Sequence, residues 1–290
     1  MKNIMKKIIS AVLLVAILAA VALFSACSPK GITIAIPNDT TNEARALLLL
    51  ERLGYITLKE GAGITATPRD ILENPYNISF KEVEAAQLPA ILQDVDYAII
   101  NSNYAIDAGL NPITDSLATE DAYSAYGNIL AVKEGNANSE KIKALVAALQ
   151  SKAVADYIAA TYGGAVISVV EHTTDGFDPT VDYQSLNGSK ITVAASPTPH
   201  AEILEIAKSI LAQKNITLVI TEYNDYVVPN LIVESGESDA NYFQHLPYLD
   251  DFNEQNNTHI TSVAVIHVEP FCIYGGKQSS LDAIKTGVQR

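Results

Sequence analysis

Ten residues toward the end of the chain, Asp239-Ala-Asn-Tyr-Phe-Gln-His-Leu-Pro-Tyr248, restrict the possible folds more than any others. An acidic loop (Glu237, Asp239) enters a strand-like run, Ala240 to Phe243, which ends on Gln244, His245 and Tyr248, held by Pro247. A buried strand that opens onto polar and aromatic groups is how an α/β sheet presents side chains to a cleft at its carboxyl edge. A second stretch repeats the plan: Asp94-Val-Asp96 leads into the run Tyr97 to Ile100 and leaves on Asn101, Ser102, Asn103 and Tyr104. Two such edges predict two lobes that face each other across a cleft.

At 290 residues and 48% hydrophobic content, the chain can bury one large core or two smaller ones. The formal net charge is -14, and the first 26 residues hold Lys2, Lys6 and Lys7 and no acid, so the remainder is more acidic still. Such a surface repels phosphate backbones, which argues against nucleic acid as a partner. Gly61 and Gly63 lack the Lys-Ser/Thr that follows a phosphate loop. No nucleophile elbow, nucleotide fingerprint or triad can be read from spacing, so no enzymatic role is expected.

The amino terminus has its own logic. Lysines precede an apolar run from Ile8 to Phe24, and Ser25 and Ala26 stand before Cys27. This is a secretory leader with a lipobox-like end, so Cys27 is the expected lipidation site. A lipid there, with Ser28 to Lys30 as a short tether, would hold the protein at a membrane surface. The alternative is a retained transmembrane helix, for which the run is barely long enough. Cys272 lies among Phe271, Ile273 and Tyr274 and reads as a small buried hydrophobe.

After a strand from Ile32 to Ile36, Thr40 and Glu43 have capping-box spacing and open a helix that Gly54 ends. A strand, a polar turn and a helix N-terminus offer free N–H groups to an anion, and Arg45 in the first turns has the fork that grips a carboxylate. On spacing alone Arg45 reads as a solvated residue pairing with Glu43 or Asp39. Asn128 stands at the entrance of an apolar strand reaching Val132. Ser139 to Tyr162 reads as one helix ended by Gly163-Gly164, and Glu171 to Asn187 as a polar linker. Lys190 to Ala195 is a strand, followed by a helix with Thr198 at its cap and Pro199 in its first turn, which would bring His200 near the cleft. Further on, Leu246 to Asn256 reads as a helix, Thr261 to Ile266 and Phe271 to Tyr274 as strands, and Ser280 to Ile284 as the start of a last helix.

Together with the opening stretch, Pro199-His200-Ala201-Glu202-Ile203-Leu204 and His267-Val268-Glu269-Pro270 resemble the NlpA/MetQ family, lipoproteins that bind methionine for ABC importers. The halves stand in reversed order: segments that close the family's chain (Ile32 to Val170) come first and those that open it (Lys190 to Tyr274) come last. The resemblance therefore implies a two-lobed, periplasmic-binding-protein-like (type II) α/β fold in circularly permuted form. Residues 1–26 would be the signal peptide, 27–30 the lipidated cysteine and tether, and 31–120 mainly lobe 2. Residues 121–170 would pack on lobe 1, 171–189 would link, 190–275 would form lobe 1, and 276–290 would begin the helical region of lobe 2.

It also implies a function: a lipid-anchored protein outside the cytoplasmic membrane that closes on L-methionine or a close analogue and delivers it to an ABC permease, without a cofactor. Arg45 would take the carboxylate, Asn103 and Asn128 would supply amide groups, and Tyr226, Phe243, His245 and Tyr248 would form an aromatic box suited to a thioether. On spacing alone these aromatics read as core. Another apolar amino acid, a methionine peptide or zinc remain alternatives. His200, His245, His259, His267 and Glu269 are the candidate metal ligands, but the histidines are scattered through elements of different type without a His-x-x-x-His pair, so no metal is expected.

Overall fold

The computed structural model describes residues 31–120 and 126–286; the leader and Cys27 lie outside the described residues. In chain order the strands are β1 (Thr33–Pro37), β2 (Thr57–Leu58), β3 (Ile71–Glu73), β4 (Ser79–Val83), β5 (Tyr97–Asn101), β6 (Ser116–Thr119), β7 (Asn128–Lys133), β8 (Ile167–Ser168), β9 (Lys190–Ala195), β10 (Thr217–Glu222), β11 (Ala240–His245), β12 (Ile260–Val268) and β13 (Phe271–Gly275). They form a five-stranded sheet, β4-β1-β5-β13-β6, a six-stranded sheet, β10-β9-β11-β7-β12-β8, and a small β2-β3 ribbon.

Each large sheet organises one lobe. In the five-stranded lobe, successive strand residues face opposite layers, as a period of two requires. Ile99 and Ile273 pack with Leu47 and Leu50 on one side, whereas Ile100 and Cys272 pack with Leu88 and Leu92 on the other. Both faces are covered, so β1 and β5 read as continuous apolar runs. In the six-stranded lobe, Leu130 and Val132 of β7 join Leu145, Leu204 and Ile266 in the larger core, while Ile129 and Ala131 turn to Val233 and Leu249.

The chain passes between lobes twice. It leaves β6 at Thr119 and enters the other sheet at Asn128; it returns through Glu269 and Pro270, between β12 and β13. The sequence grouped Phe271 to Gly275 with residues 190–275, but β13 pairs antiparallel with β5, Phe271 facing Asn101 and Gly275 facing Tyr97. Pro270 gives the physical reason: with no N–H it cannot extend a ladder, and the two-residue link lacks a residue that favours the positive φ of a tight hairpin.

Local signals shift by small steps elsewhere. Asp39, not Thr40, caps the helix Thr40–Arg52: it is extended (φ -82°, ψ 145°) and its Oδ1 accepts from Asn42 N at 3.0 Å. Gly54, at φ +75°, ends that helix. The single helix expected over 139–162 is two, Glu140–Leu149 and Lys152–Tyr162, each capped by a serine, Ser139 and Ser151. The break is bound to the linker, since Lys152 N donates to Thr174 O and Thr174 N to Gln150 O, both at 3.0 Å. The linker is thus packed on its lobe, with Val181 and Leu186 in the larger core. Thr198 has non-helical dihedrals (φ -119°, ψ 136°) in an irregular turn, Pro197–Ala201, and the regular helix starts at Glu202.

Candidate functional site

A cleft opens between the lobes, about 380 Å³ with its open mouth counted. The five-stranded lobe contributes Arg45 and Asn42 from the helix after β1, and Asn101, Ser102 and Asn103 from the end of β5. The six-stranded lobe contributes Asn128 at the start of β7, Phe243, Gln244 and His245 at the end of β11, and Tyr226 and Tyr248 nearby. Glu269 and Pro270 line it where the chain crosses. All seven residues singled out from the sequence, Arg45, Asn103, Asn128, Tyr226, Phe243, His245 and Tyr248, meet here. Asn42, Asn101, Ser102, Gln244, Glu269 and Pro270 were not among them. Asn101, Ser102 and Gln244 lie on the two strand edges that the sequence turns toward the cleft, whereas nothing in the sequence points to Asn42: the 2.9 Å bond from Asn101 Nδ2 to Asn42 Oδ1 spans 59 residues that no local pattern relates.

Tyr226 is the centre of the aromatic wall. Its ring lies 5.7 Å from that of Phe243, 5.8 Å from Tyr248 and 5.0 Å from Tyr104, in tilted or edge contacts. Its hydroxyl donates to Asn103 Oδ1 at 2.8 Å, and the Tyr248 hydroxyl donates to Tyr226 O at 3.0 Å. Burial pushes the Tyr226 phenol well above its ordinary pKa, so it stays a neutral donor. With its oxygen occupied, Asn103 is left with its NH2 group to offer a ligand. His245 Nδ1 accepts from Tyr248 N at 3.2 Å. Burial, with Arg45 adding to it, pushes the His245 pKa well below the usual value, and the ring is neutral with its proton on Nε2.

Behind Asn128 lies a chain of polar groups inside the six-stranded lobe. Tyr242 OH meets His267 Nδ1 at 2.5 Å, His267 Nε2 meets Glu269 Oε1 at 2.7 Å, and His200 Nε2 meets Asn128 Oδ1 at 2.8 Å. Desolvation lowers both histidines to a pKa of about 3 and raises that of Glu269. A neutral His200 has one proton to give; placed on Nε2 it satisfies Asn128 Oδ1 and directs the Asn128 NH2 away, leaving Nδ1 as a lone pair without a partner. His200, His267 and Glu269 bring one ligand atom each within 4.8 Å of one another, so they are the residues that could hold a metal. Histidines that are scattered in sequence do converge here, although their facing atoms are already joined to one another and to Asn128.

Arg45 is buried and does not pair with Glu43 or Asp39. Its Nε donates to Glu120 Oε2 at 2.8 Å, its Nη2 donates to Glu120 Oε1, and Nη2 also reaches Glu269 O at 3.3 Å. The guanidinium carbon sits 4.3 Å from the Tyr126 ring centre and 4.8 Å from that of Phe271. Asn101 Oδ1, also in the cleft wall, is buried without a hydrogen-bond partner.

The sequence profile described as NlpA lipoprotein matches residues 23–170 and 191–289, most of the chain. The chain belongs to the NlpA lipoprotein family. Among curated NlpA relatives it is 46% identical over 140 residues to "Membrane lipoprotein TpN32" of Treponema pallidum, covering 48% of this chain and 52% of that protein. It is 43% identical over 137 residues to the "Probable D-methionine-binding lipoprotein MetQ" of Pasteurella multocida, covering 47% and 50%. The chain spans about half the length of the curated relatives it matches. A solved structure, described as a nutrient binding protein from Burkholderia cenocepacia bound to methionine, is 45% identical, covers 48% of this chain and 59% of that one, and superposes with a TM-score of 0.46. No helix among the described residues is long and apolar enough to cross a membrane.

Proposed function

We propose that this chain is an extracytoplasmic substrate-binding lipoprotein, anchored through Cys27, that captures methionine, as the L-amino acid or a close analogue, and delivers it to an ABC permease. The observation that carries the reading is the cleft itself, which sets the three recognition elements of an apolar amino acid side by side. Arg45 Nη1 and the NH2 groups of Asn103 and Asn128 suit a carboxylate. Asn101 Oδ1, an acceptor in want of a donor, suits an ammonium group. Tyr226, Phe243, His245 and Tyr248 suit a thioether side chain, at roughly 0.3–1.5 kcal/mol per sulfur–aromatic contact. The name of the Pasteurella relative, probable D-methionine-binding lipoprotein, supports methionine as the compound, though in the opposite hand.

Binding needs both lobes, and the crossing at Glu269-Pro270 is a place where the lobes would hinge, so a ligand that touches both walls favours the closed form. No bond is made or broken. The circular permutation belongs to this proposal too. The profile match breaks between 170 and 191, and Ile284 of the last helix packs in the same core as Ile32 of the first strand, so joining the two ends would disturb little.

The test is calorimetry on the mature chain with Cys27 replaced by Ser, unfolded and refolded to strip carried-over ligand, titrated with L- and D-methionine, leucine and a methionine dipeptide. One-to-one binding that is tightest for methionine is expected; a folded protein with no heat for any of them refutes the reading.

A further inference from the structure

The methionine reading leaves Glu120 without a role. Glu120 does not line the ligand cleft. It lines a separate recess of about 340 Å³ on the other side of Arg45, with Leu48, Leu49, Arg52 and Tyr126. From there its carboxylate takes Nε and Nη2 of Arg45, Nη2 also reaches Glu269 O, and the Tyr126 and Phe271 rings hold the guanidinium plane. Nη1 is the guanidinium nitrogen with no acceptor among the described residues. Arg45 thus meets the cleft with one edge only, and with its charge already matched from behind.

We propose that Glu120 sets the net charge of the ligand: by compensating Arg45 from outside the cleft, it makes the site select a zwitterion and turn away an anion of the same shape. The inference rests on the reading that Arg45 meets the ligand carboxylate. Glu120 is the carboxylate bonded to Arg45 at that edge, with the Glu269 side chain in the cleft wall, Arg52 in the recess beside Glu120 and Asp39 near the aromatic wall, and His245 beside Arg45 is neutral. A zwitterion adds no net charge to this set, and its ammonium finds acceptor oxygens in the wall. A ligand that carries only the carboxylate adds an uncompensated negative charge to a site with one cation and a carboxylate already on it. In a partly dry cleft a unit charge a few ångströms away is equivalent to roughly ten- to a hundredfold in affinity. Selectivity of this kind comes from what the site repels as much as from what it attracts. Glu120 touches no ligand atom in this scheme and is a positioning residue that acts through Arg45.

The probes are L-methionine and its hydroxy analogue, 2-hydroxy-4-(methylthio)butanoate, which keeps the carboxylate and thioether but exchanges the ammonium for a hydroxyl. Calorimetry on the mature chain would give the ratio of their affinities for the wild type, Glu120→Gln, Glu120→Asp and, as a second neutral variant should the first not fold, Glu120→Asn. The neutral variants should narrow the preference for methionine at least tenfold, mainly by binding the anion better, while Glu120→Asp keeps the wild-type ratio. An unchanged ratio in a folded neutral variant, even with both affinities reduced, would mean that Glu120 only holds Arg45 in place and would overturn this inference alone. A folded wild type that binds neither compound would overturn the methionine reading and this inference with it.

Discussion

Replacing Arg45 with alanine should damage binding and stability for separable reasons, and the structure says how to tell them apart. The guanidinium is sandwiched between Tyr126 and Phe271 and paired with Glu120, whose side chain is 10% exposed. Removing it orphans a mostly buried carboxylate, a loss of about 3–5 kcal/mol for a broken buried pair, here nearer the lower figure because Glu120 faces the recess. At about 2–4 °C per kcal/mol, the melting temperature should fall by roughly 10 °C. Binding loses a charged hydrogen bond, about 1.5–3 kcal/mol, so the Kd for methionine should rise by roughly 10- to 150-fold. The double variant Arg45→Met/Glu120→Leu replaces the whole pair with apolar volume and should recover most of the stability. Its affinity should stay low. Thermal unfolding and calorimetry on the same preparations check both parts. A double variant that is stable and also binds methionine like the wild type would refute the carboxylate role of Arg45.

Tyr226→Phe keeps the ring contacts and removes the hydroxyl that orients Asn103; affinity should fall about fivefold, on the order of 1 kcal/mol, with little change in melting temperature, and an unchanged Kd would show that Asn103 needs no orientation. Stability should also decline in mild acid. His200 and His267 have folded-state pKa values near 3, below the unfolded value of about 6.5, so their contribution is whole above pH 6.5 and is lost as the pH falls toward 3. Two such groups set an upper limit of about 2.7 kcal/mol per pH unit. Glu269, raised by burial, and Glu43, raised to about 7 by burial and by Glu82, act in the opposite sense, since their stabilising contribution is lost as the pH rises. Urea midpoints between pH 6.5 and 4.5 should therefore drop with a shallower slope, and His267→Gln should flatten it further; a flat wild-type profile would contradict the burial of both rings.

Much of the architecture is legible in the sequence. Strands at Lys190–Ala195 and Leu246–Asn256 as a helix follow from periodicity and from Pro247 at a helix start. Capping was off by one residue at Asp39 because Asp and Thr both make good caps, and only the backbone angles choose between them. The split at Gln150-Ser151 was hidden because what breaks the helix is the Thr174 backbone, 24 residues away from Gln150 along the chain.

By itself the sequence determined the strand ends and the helix start that open on a cleft; the choice of Arg45, Asn103, Asn128, Tyr226, Phe243, His245 and Tyr248 as its lining came from the family resemblance, since spacing alone reads the aromatics as core, and all seven line the cleft. Only the tertiary structure decided how those side chains are used. Arg45 is matched by Glu120, 75 residues away; Asn128 is held by His200, 72 residues away; and Asn103 is held by Tyr226, 123 residues away. Pairings of that range arise from how two sheets and two crossings stack, and a one-dimensional pattern carries periodicity but not the distance between groups that only folding brings together.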